Sequence, residues 1–167
     1  RVSVAAIDSA VDTGRLVFDA STETLNRVLV DLKDAAWALE RDRVRNAAAI
    51  AALAPANPTI EQVAGFWSIQ VALSALDRLE VRGRDSAGIE VVVENHGLGP
   101  DELEAHSELS VRLGDAVYRS GAVRADERIA VFVYKAAAEI GELGDNTAAL
   151  RAAIDADELL TRAMSRP

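Results

Sequence analysis

Two long stretches of apolar residues at helical spacing constrain this fold more than any other feature of the sequence. In the stretch 21–53, apolar residues recur every three or four positions, beginning with Leu25, Val28, Leu29, Leu32, Ala36 and Leu39. That spacing places them on one face of a helix. Ser21 or Thr22 can cap its start, and Pro55 and Pro58 stop it because proline lacks an amide hydrogen.

The second stretch, 59–80, starts with the residues of a capping box, Thr59-Ile60-Glu61-Gln62, or alternatively with Asn57 as cap and Pro58 as first helical residue. The residues expected to share its buried face are Ile60, Val63, Phe66, Trp67, Gln70, Leu73, Leu76 and Leu79. The two tryptophans, Trp37 and Trp67, are most simply core residues or anchors between helices. A platform for a ligand is the alternative.

The periodicity changes after position 80. The runs 89–94 and 129–134 are rich in β-branched residues, which predicts strands. Helices are predicted over 101–113, 135–143, 148–154 and 158–164, and Asp155 or Asp157 opens the last of them. The sequence therefore predicts an α-rich α/β (α+β) domain. It looks incomplete, because two strands cannot make a well-covered sheet.

The residue counts exclude several kinds of chemistry. The chain has no Cys, which removes disulfides, thiolate metal sites and cysteine nucleophiles, and two histidines, His96 and His106, are too few for a histidine-rich metal cage. We expect no metal and no cofactor. A net charge of −9 disfavours nucleic acid as a partner. The apolar runs are too short to cross a bilayer, so we expect a soluble, cytoplasmic protein without a membrane partner.

A short charged bend, flanked by Gly83 and Gly88, connects the second helix to the first predicted strand. Glycine permits backbone conformations or close approaches that a Cβ would block. Arg82 offers a fork of donors suited to a carboxylate, and Asp85 and Ser86 can close the turn on their own backbone. On composition alone, an ordinary connection held by an Arg–Asp pair explains the bend.

Residues 79–89, Leu-Glu-Val-Arg-Gly-Arg-Asp-Ser-Ala-Gly-Ile, resemble the stretch Leu-Glu-Tyr-Arg-Gly-Tyr-Asp-Ser-Ala-Gly-Ile of glucosamine-6-phosphate synthases. In those enzymes the stretch lies in the glutaminase domain, which is a class II glutamine amidotransferase of the N-terminal-nucleophile type. Residues 132–147 (FVYKAAAEIGELGDNT) are similar to a long, divergent branch of these enzymes. The close resemblance covers about residues 70 to 150. It implies a four-layered α/β/β/α fold, with residues 57–167 as a partial domain and 1–56 as a helical extension or insertion.

The resemblance also implies an activity and a pocket. In the family an N-terminal Cys attacks the glutamine amide, its own α-amino group acts as base, and ammonia passes to fructose 6-phosphate to give glucosamine 6-phosphate. Arg82 and Gly83 match residues that shape the pocket beside that nucleophile, and Asp85 and Ser86 match residues that hold the turn. The implied partners are therefore glutamine and a sugar phosphate, bound by a longer parent enzyme.

Three elements of the family are missing from this chain. It has no Cys, no His-Thr-Arg-Trp substrate motif and no Asn-Gly oxyanion element. A thiolate nucleophile and oxyanion donors carry most of the acceleration in acyl transfer, so we expect no catalytic residue here and no turnover by the chain alone. Because Arg1 rather than Met opens the sequence, we expect a piece of a longer synthase. A domain that kept the scaffold and lost the chemistry is the alternative.

A second hypothesis comes from a different class of protein. The amphipathic stretches 21–53 and 59–80 are also typical of a non-catalytic helical module, whose apolar faces form a bundle or the seam of a homo-oligomer. Strand pairing separates the two hypotheses. If 88–94 pairs with 129–134 as inner strands of a sheet, the amidotransferase is favoured. If both runs are surface loops around a helical bundle, the module is favoured.

Overall fold

The computed structural model describes residues 3–81, 85–99, 107–137 and 142–165 and has a mixed, α-rich α+β architecture. Its helices are α1 (Val4–Asp12), α2 (Thr22–Trp37), α3 (Arg45–Leu53), α4 (Ile60–Leu79), α5 (Ser107–Gly114), α6 (Asp145–Asp155) and α7 (Glu158–Ala163). A π-helical segment, Ala38–Val44, joins α2 to α3 without a break. The strands are β1 (Ala87–Glu94), β2 (Val123–Ala125) and β3 (Ile129–Ala136). None of the described helices is both long and apolar enough to span a bilayer.

The helix starts follow the capping residues that the sequence predicts. The Ser21 side chain accepts a hydrogen bond from the Thr24 amide at 3.2 Å, satisfying a donor at the start of α2. At the start of α4, Thr59 and Gln62 form the reciprocal capping box, with distances of 2.9 and 3.2 Å. The α3 helix ends at Leu53, before the two prolines. Local chemistry therefore sets these boundaries.

The chain divides into two compact units, Arg1–Ala48 and Ala49–Pro167, and the boundary predicted after residue 56 lies inside the second unit. In the first unit α1 and α2 are linked by an ion pair of 2.8 Å between Lys33 and Asp8. The second unit contains the sheet, the core and the bend.

The sheet has the strand order β1-β3-β2, with both pairings antiparallel. Strand β1 pairs with β3 along its whole length, from Ala87 opposite Ala136 to Glu94 opposite Ile129. The two predicted strands are thus confirmed, and they are neighbours. The short strand β2 was missed, since three residues are too few to show a period of two.

The core of the second unit lies between helices and one face of this sheet. Phe66 and Leu73 of α4, Phe132 of β3 and Leu150 of α6 are fully buried there. The other face is less covered: along β1, Glu90 and Val92 are exposed, alternating with half-buried or buried residues.

Of the sequence predictions about packing, that for the tryptophans is wrong and that for the face of α4 is right only for Phe66, Gln70 and Leu73. Trp37 is 63% exposed and Trp67 is 56% exposed, so neither is a core residue. The buried residues of α4 are Gln62, Phe66, Ile69, Gln70 and Leu73, whereas Ile60 and Leu79 point outward. Because α4 is apolar on most of its circumference, its spacing alone could not identify the buried side.

The prediction of a helix over 135–143 is also wrong in part. Lys135 and Ala136 continue strand β3, and Leu143 lies in a turn, while residues 138–141 are outside the described part of the chain. The Ala-rich composition favoured a helix, but pairing with β1 extends the strand. Asp157, as predicted, caps the last helix, α7.

Position 97 must be glycine for a steric reason that the sequence alone does not reveal. Its amide donates to the Ala163 carbonyl at 2.8 Å, so the loop after β1 lies against the end of α7. A Cβ on Gly97 would lie 2.2 Å from the Ser165 carbonyl oxygen, too close for any real contact. At Gly99, by contrast, a Cβ would meet nothing within 4 Å.

Gly97→Ala is therefore expected to lower the free energy of unfolding by about 2 kcal/mol or more, because backbone must move to admit the methyl group. Gly99→Ala is the matched control and should change it by less than about 0.5 kcal/mol. Urea denaturation followed by circular dichroism measures both. Equal stabilities of the two variants would contradict the close approach.

Candidate functional site

The bend between α4 and β1 is the candidate site, and the structure describes it in part. Arg82 and Gly83 lie outside the described residues. Asp85 and Ser86 are exposed at the start of β1. The role of all four as pocket residues stays a prediction.

Glu80, the residue that ends α4, is buried although it carries a charge. It is 3% exposed, and its backbone amide donates to the Leu76 carbonyl at 3.0 Å, which completes the last turn of the helix. Its carboxylate accepts hydrogen bonds from the backbone amides of Gly144 and of Thr147, the latter at 3.1 Å. Gly144 is the N-cap residue of α6 and Thr147 lies in its first turn, where amides have no partner inside the helix and the helix dipole favours a negative charge. Glu80 therefore ties the start of the bend to α6.

The turn before α6 is shaped to meet that carboxylate. Gly144 has a φ of +98°, a left-handed conformation that glycine adopts without strain. Asp145 accepts a hydrogen bond from the Glu142 amide at 2.7 Å, which closes the turn. The buried Thr147 hydroxyl has no hydrogen-bond partner in the described part of the structure.

A shallow depression of about 270 Å³ lies at the far end of the bend. It is lined by Ser86, Ala87, Gly88, Lys135, Ala136 and Ala137. Lys135 extends over the Tyr118 ring, with its ammonium 5.2 Å from the ring centre. The expectation that Gly88 avoids a clash is wrong: a Cβ there would be in ordinary contact, 3.4 Å from the Tyr134 carbonyl oxygen. The depression therefore presents one hydroxyl and one cation to solvent.

Replacing Glu80 with Ala is expected to cost about 1–3 kcal/mol of folding free energy, because two buried amides would lose their acceptor. Glu90→Ala, on the exposed face of β1, is the control and should be near neutral. Chemical denaturation of the two variants gives the comparison. If Glu80→Ala is no more destabilising than Glu90→Ala, the carboxylate does not hold α6.

A second buried polar cluster joins α5, β3 and α7. Arg112 and Asp157 form a two-pronged ion pair, with distances of 2.9 and 2.6 Å. The Tyr134 hydroxyl donates to the same carboxylate at 2.7 Å, and the Arg112 Nε donates to the Gly121 carbonyl at 2.6 Å. Asp157 also caps α7 by accepting from the amides of Leu159 and Leu160. The sequence identified Asp157 as a cap but gave no sign of its two side-chain partners.

The charges in this cluster are matched. Burial alone would raise the pKa of Asp157. Its pKa is nevertheless below the ordinary value, because it accepts hydrogen bonds from Arg112 and Tyr134 and faces the Arg112 charge. Burial and the neighbouring carboxylate raise the pKa of Tyr134, which keeps its proton and remains a donor. An open depression of about 330 Å³ borders the cluster. Because the Asp157 carboxylate is engaged by α5, β3 and α7 together, the cluster primarily holds these elements in place.

Asp157→Asn is expected to destabilise the fold by about 3 kcal/mol at neutral pH, since it removes the carboxylate from a largely buried ion pair. Because the pKa of Asp157 is lower in the folded than in the unfolded state, its ionised carboxylate stabilises the protein above about pH 4. This stabilisation is lost as the pH falls. The wild type should therefore lose more stability than the variant between about pH 5 and pH 3. Asp155→Asn, on the exposed side of α6, is the control for urea titrations at both pH values. The same acid dependence in wild type and Asp157→Asn would refute the assignment.

The remaining candidate residues have structural roles or fall outside the described chain. His96 is buried: its Nε2 donates to the Asp126 carbonyl at 2.7 Å, with Nδ1 accepting from the Leu98 amide at 3.2 Å. His106 is not among the described residues. Among the described side chains, no three histidines or acids are grouped closely enough to hold a metal ion.

Comparison of the chain with protein-family models, with curated proteins and with solved structures gives no match. The functional assignment therefore depends on the residues themselves and on where the fold places them.

Proposed function

We propose that this chain is part of the glutaminase domain of a glutamine amidotransferase similar to glucosamine-6-phosphate synthase. In this proposal the bend that contains Arg82 and Gly83 forms one wall of the glutamine pocket. The complete enzyme releases ammonia from glutamine and transfers it to a sugar phosphate. The chain alone is inactive.

The observation that carries the proposal is the contact made by Glu80. The resemblance comes from two segments far apart in sequence, residues 79–89 and 132–147. Glu80 belongs to the first, and the two amides that it binds, those of Gly144 and Thr147, belong to the second. A chance likeness in two short segments gives no reason for them to meet. Their direct contact supports a single origin for both.

The sheet supports the same proposal in part. The two β-branched runs pair as neighbouring strands, so they are not surface loops around a helical bundle, but among the described strands only β3 is an inner strand and β1 lies at the edge. Helices α4 and α6 both contact β1, so they cover one face of the sheet. The opposite side of β1 carries Val92, which is 57% exposed. An α/β/β/α domain places a second sheet against such a face.

The proposed chemistry assigns this chain a binding role. A cysteine thiolate, from a segment that these residues do not include, attacks the glutamine carboxamide carbon. The α-amino group of that cysteine, which has taken up the thiol proton, passes it to the leaving nitrogen, so that the tetrahedral intermediate expels ammonia. Water then hydrolyses the thioester to give glutamate. Arg82 contributes a fixed fork of donors that orients a carboxylate or a carbonyl beside the thiolate. Glu80, two residues before Arg82, ties the end of α4 to the start of α6.

In the complete gene product, Arg82→Ala is expected to reduce kcat/KM for glutamine hydrolysis by about 10²-fold or more, because a donor that orients the substrate is lost. Arg84 is the matched control, since it stands where the family has Tyr, and Arg84→Ala should change the rate less than threefold. Coupled detection of released ammonia and glutamate measures both variants. Equal effects at the two positions, or no glutamine hydrolysis by the wild type, would overturn the proposal.

A further inference from the structure

The outward face of α4 is a continuous apolar stripe. Its apolar residues recur at spacings of three and four and are all exposed: Ile60, Ala64, Trp67, Val71 and Ala75, with the exposed Arg78 following at the same spacing. Ile60 is 84% exposed, Trp67 56% and Val71 55%, and Leu79 beside them is 61% exposed. A helix of this length is about 30 Å long and about 10 Å wide, so the stripe covers about 300 Å². The largest apolar patch on a typical monomer is about 300–600 Å² and often has a function.

The charges at the two ends of the stripe determine which partner fits it. Glu61 lies at the start of the exposed side and Arg78 near its end, and neither forms an ion pair with another described residue. The nearby Asp77 lies on a different side of the helix, beside Gly144. A stripe with an acid at one end and a base at the other is complementary to its own copy when the two run antiparallel.

The spacing along the helix satisfies that arrangement. With a rise of about 1.5 Å per residue, placing Glu61 of one copy level with Arg78 of the other also brings Ile60 level with Leu79. In the same register Trp67 lies within about 1.5 Å, along the axis, of the level of Val71 in the partner. The largest exposed side chains of the stripe then face one another, and both charge pairs form.

We propose that the exposed face of α4 is the seam of a homodimer, in which two copies of this chain pair antiparallel through α4. Two-fold symmetry makes every contact occur twice, including the ion pair between Glu61 and Arg78. A stable interface buries about 800 Å² on each partner, which is more than this stripe offers. We therefore expect a dimer that dissociates reversibly with dilution. This proposal does not depend on glutamine chemistry.

Sedimentation velocity of the chain across the micromolar range tests the dimer. The wild type should shift with concentration toward a species of twice 17.8 kDa. Trp67→Glu should raise the dissociation constant at least tenfold, because it buries a charge at the centre of the seam. Trp37→Glu is the matched control, because Trp37 is the same residue type and 63% exposed but lies at the end of α2. The dissociation constant of this variant should equal that of the wild type.

A charge exchange tests the antiparallel register. Glu61→Lys and Arg78→Glu each replace two attractions in the dimer by two repulsions, and each should raise the dissociation constant at least threefold. The double variant restores opposite charges and should return to within twofold of the wild type. Circular dichroism confirms that each variant is folded. A wild type that stays monomeric, equal effects of Trp67→Glu and Trp37→Glu, or additive single charge changes would each overturn the proposal.

Discussion

One buried carboxylate joins the end of α4 to the start of α6. Glu80 stands where α4 ends, and it accepts the amides of Gly144 and Thr147 at the start of α6. The charge is tolerated at 3% exposure because it satisfies amides that the helix cannot satisfy itself. Since α4 and α6 both contact β1, Glu80 lies where three elements of the second unit meet.

Local chemistry made much of this fold predictable. Ser21, Thr59 and Asp157 cap helices where the sequence indicates, because their side-chain oxygens accept the first free amides. The two long β-branched runs form strands for equally local reasons. The bend was found by its resemblance to the amidotransferase stretch, since its composition alone indicates only a connection. Its two most informative residues, Arg82 and Gly83, lie outside the described part of the chain.

Contacts between distant residues were not predictable. The partners of Asp157 are Arg112 and Tyr134, on different elements, and neither stands out in the sequence. Gly97 looks like an ordinary turn glycine until the end of α7 is placed against it. The exposure of Trp67 has a similar origin, because α4 is apolar on nearly every side and only its neighbours decide which residues are covered. Tertiary packing, rather than propensity, determined each of these outcomes.

The central claim is that these residues support an N-terminal thiol nucleophile supplied by the rest of the enzyme. The most direct measurement is ammonia release from glutamine by the complete gene product, before and after the N-terminal Cys that the proposal requires is changed to Ala. The account predicts that the wild type hydrolyses glutamine and that the variant loses this activity while its fold is retained. Undiminished ammonia release by the variant would contradict it.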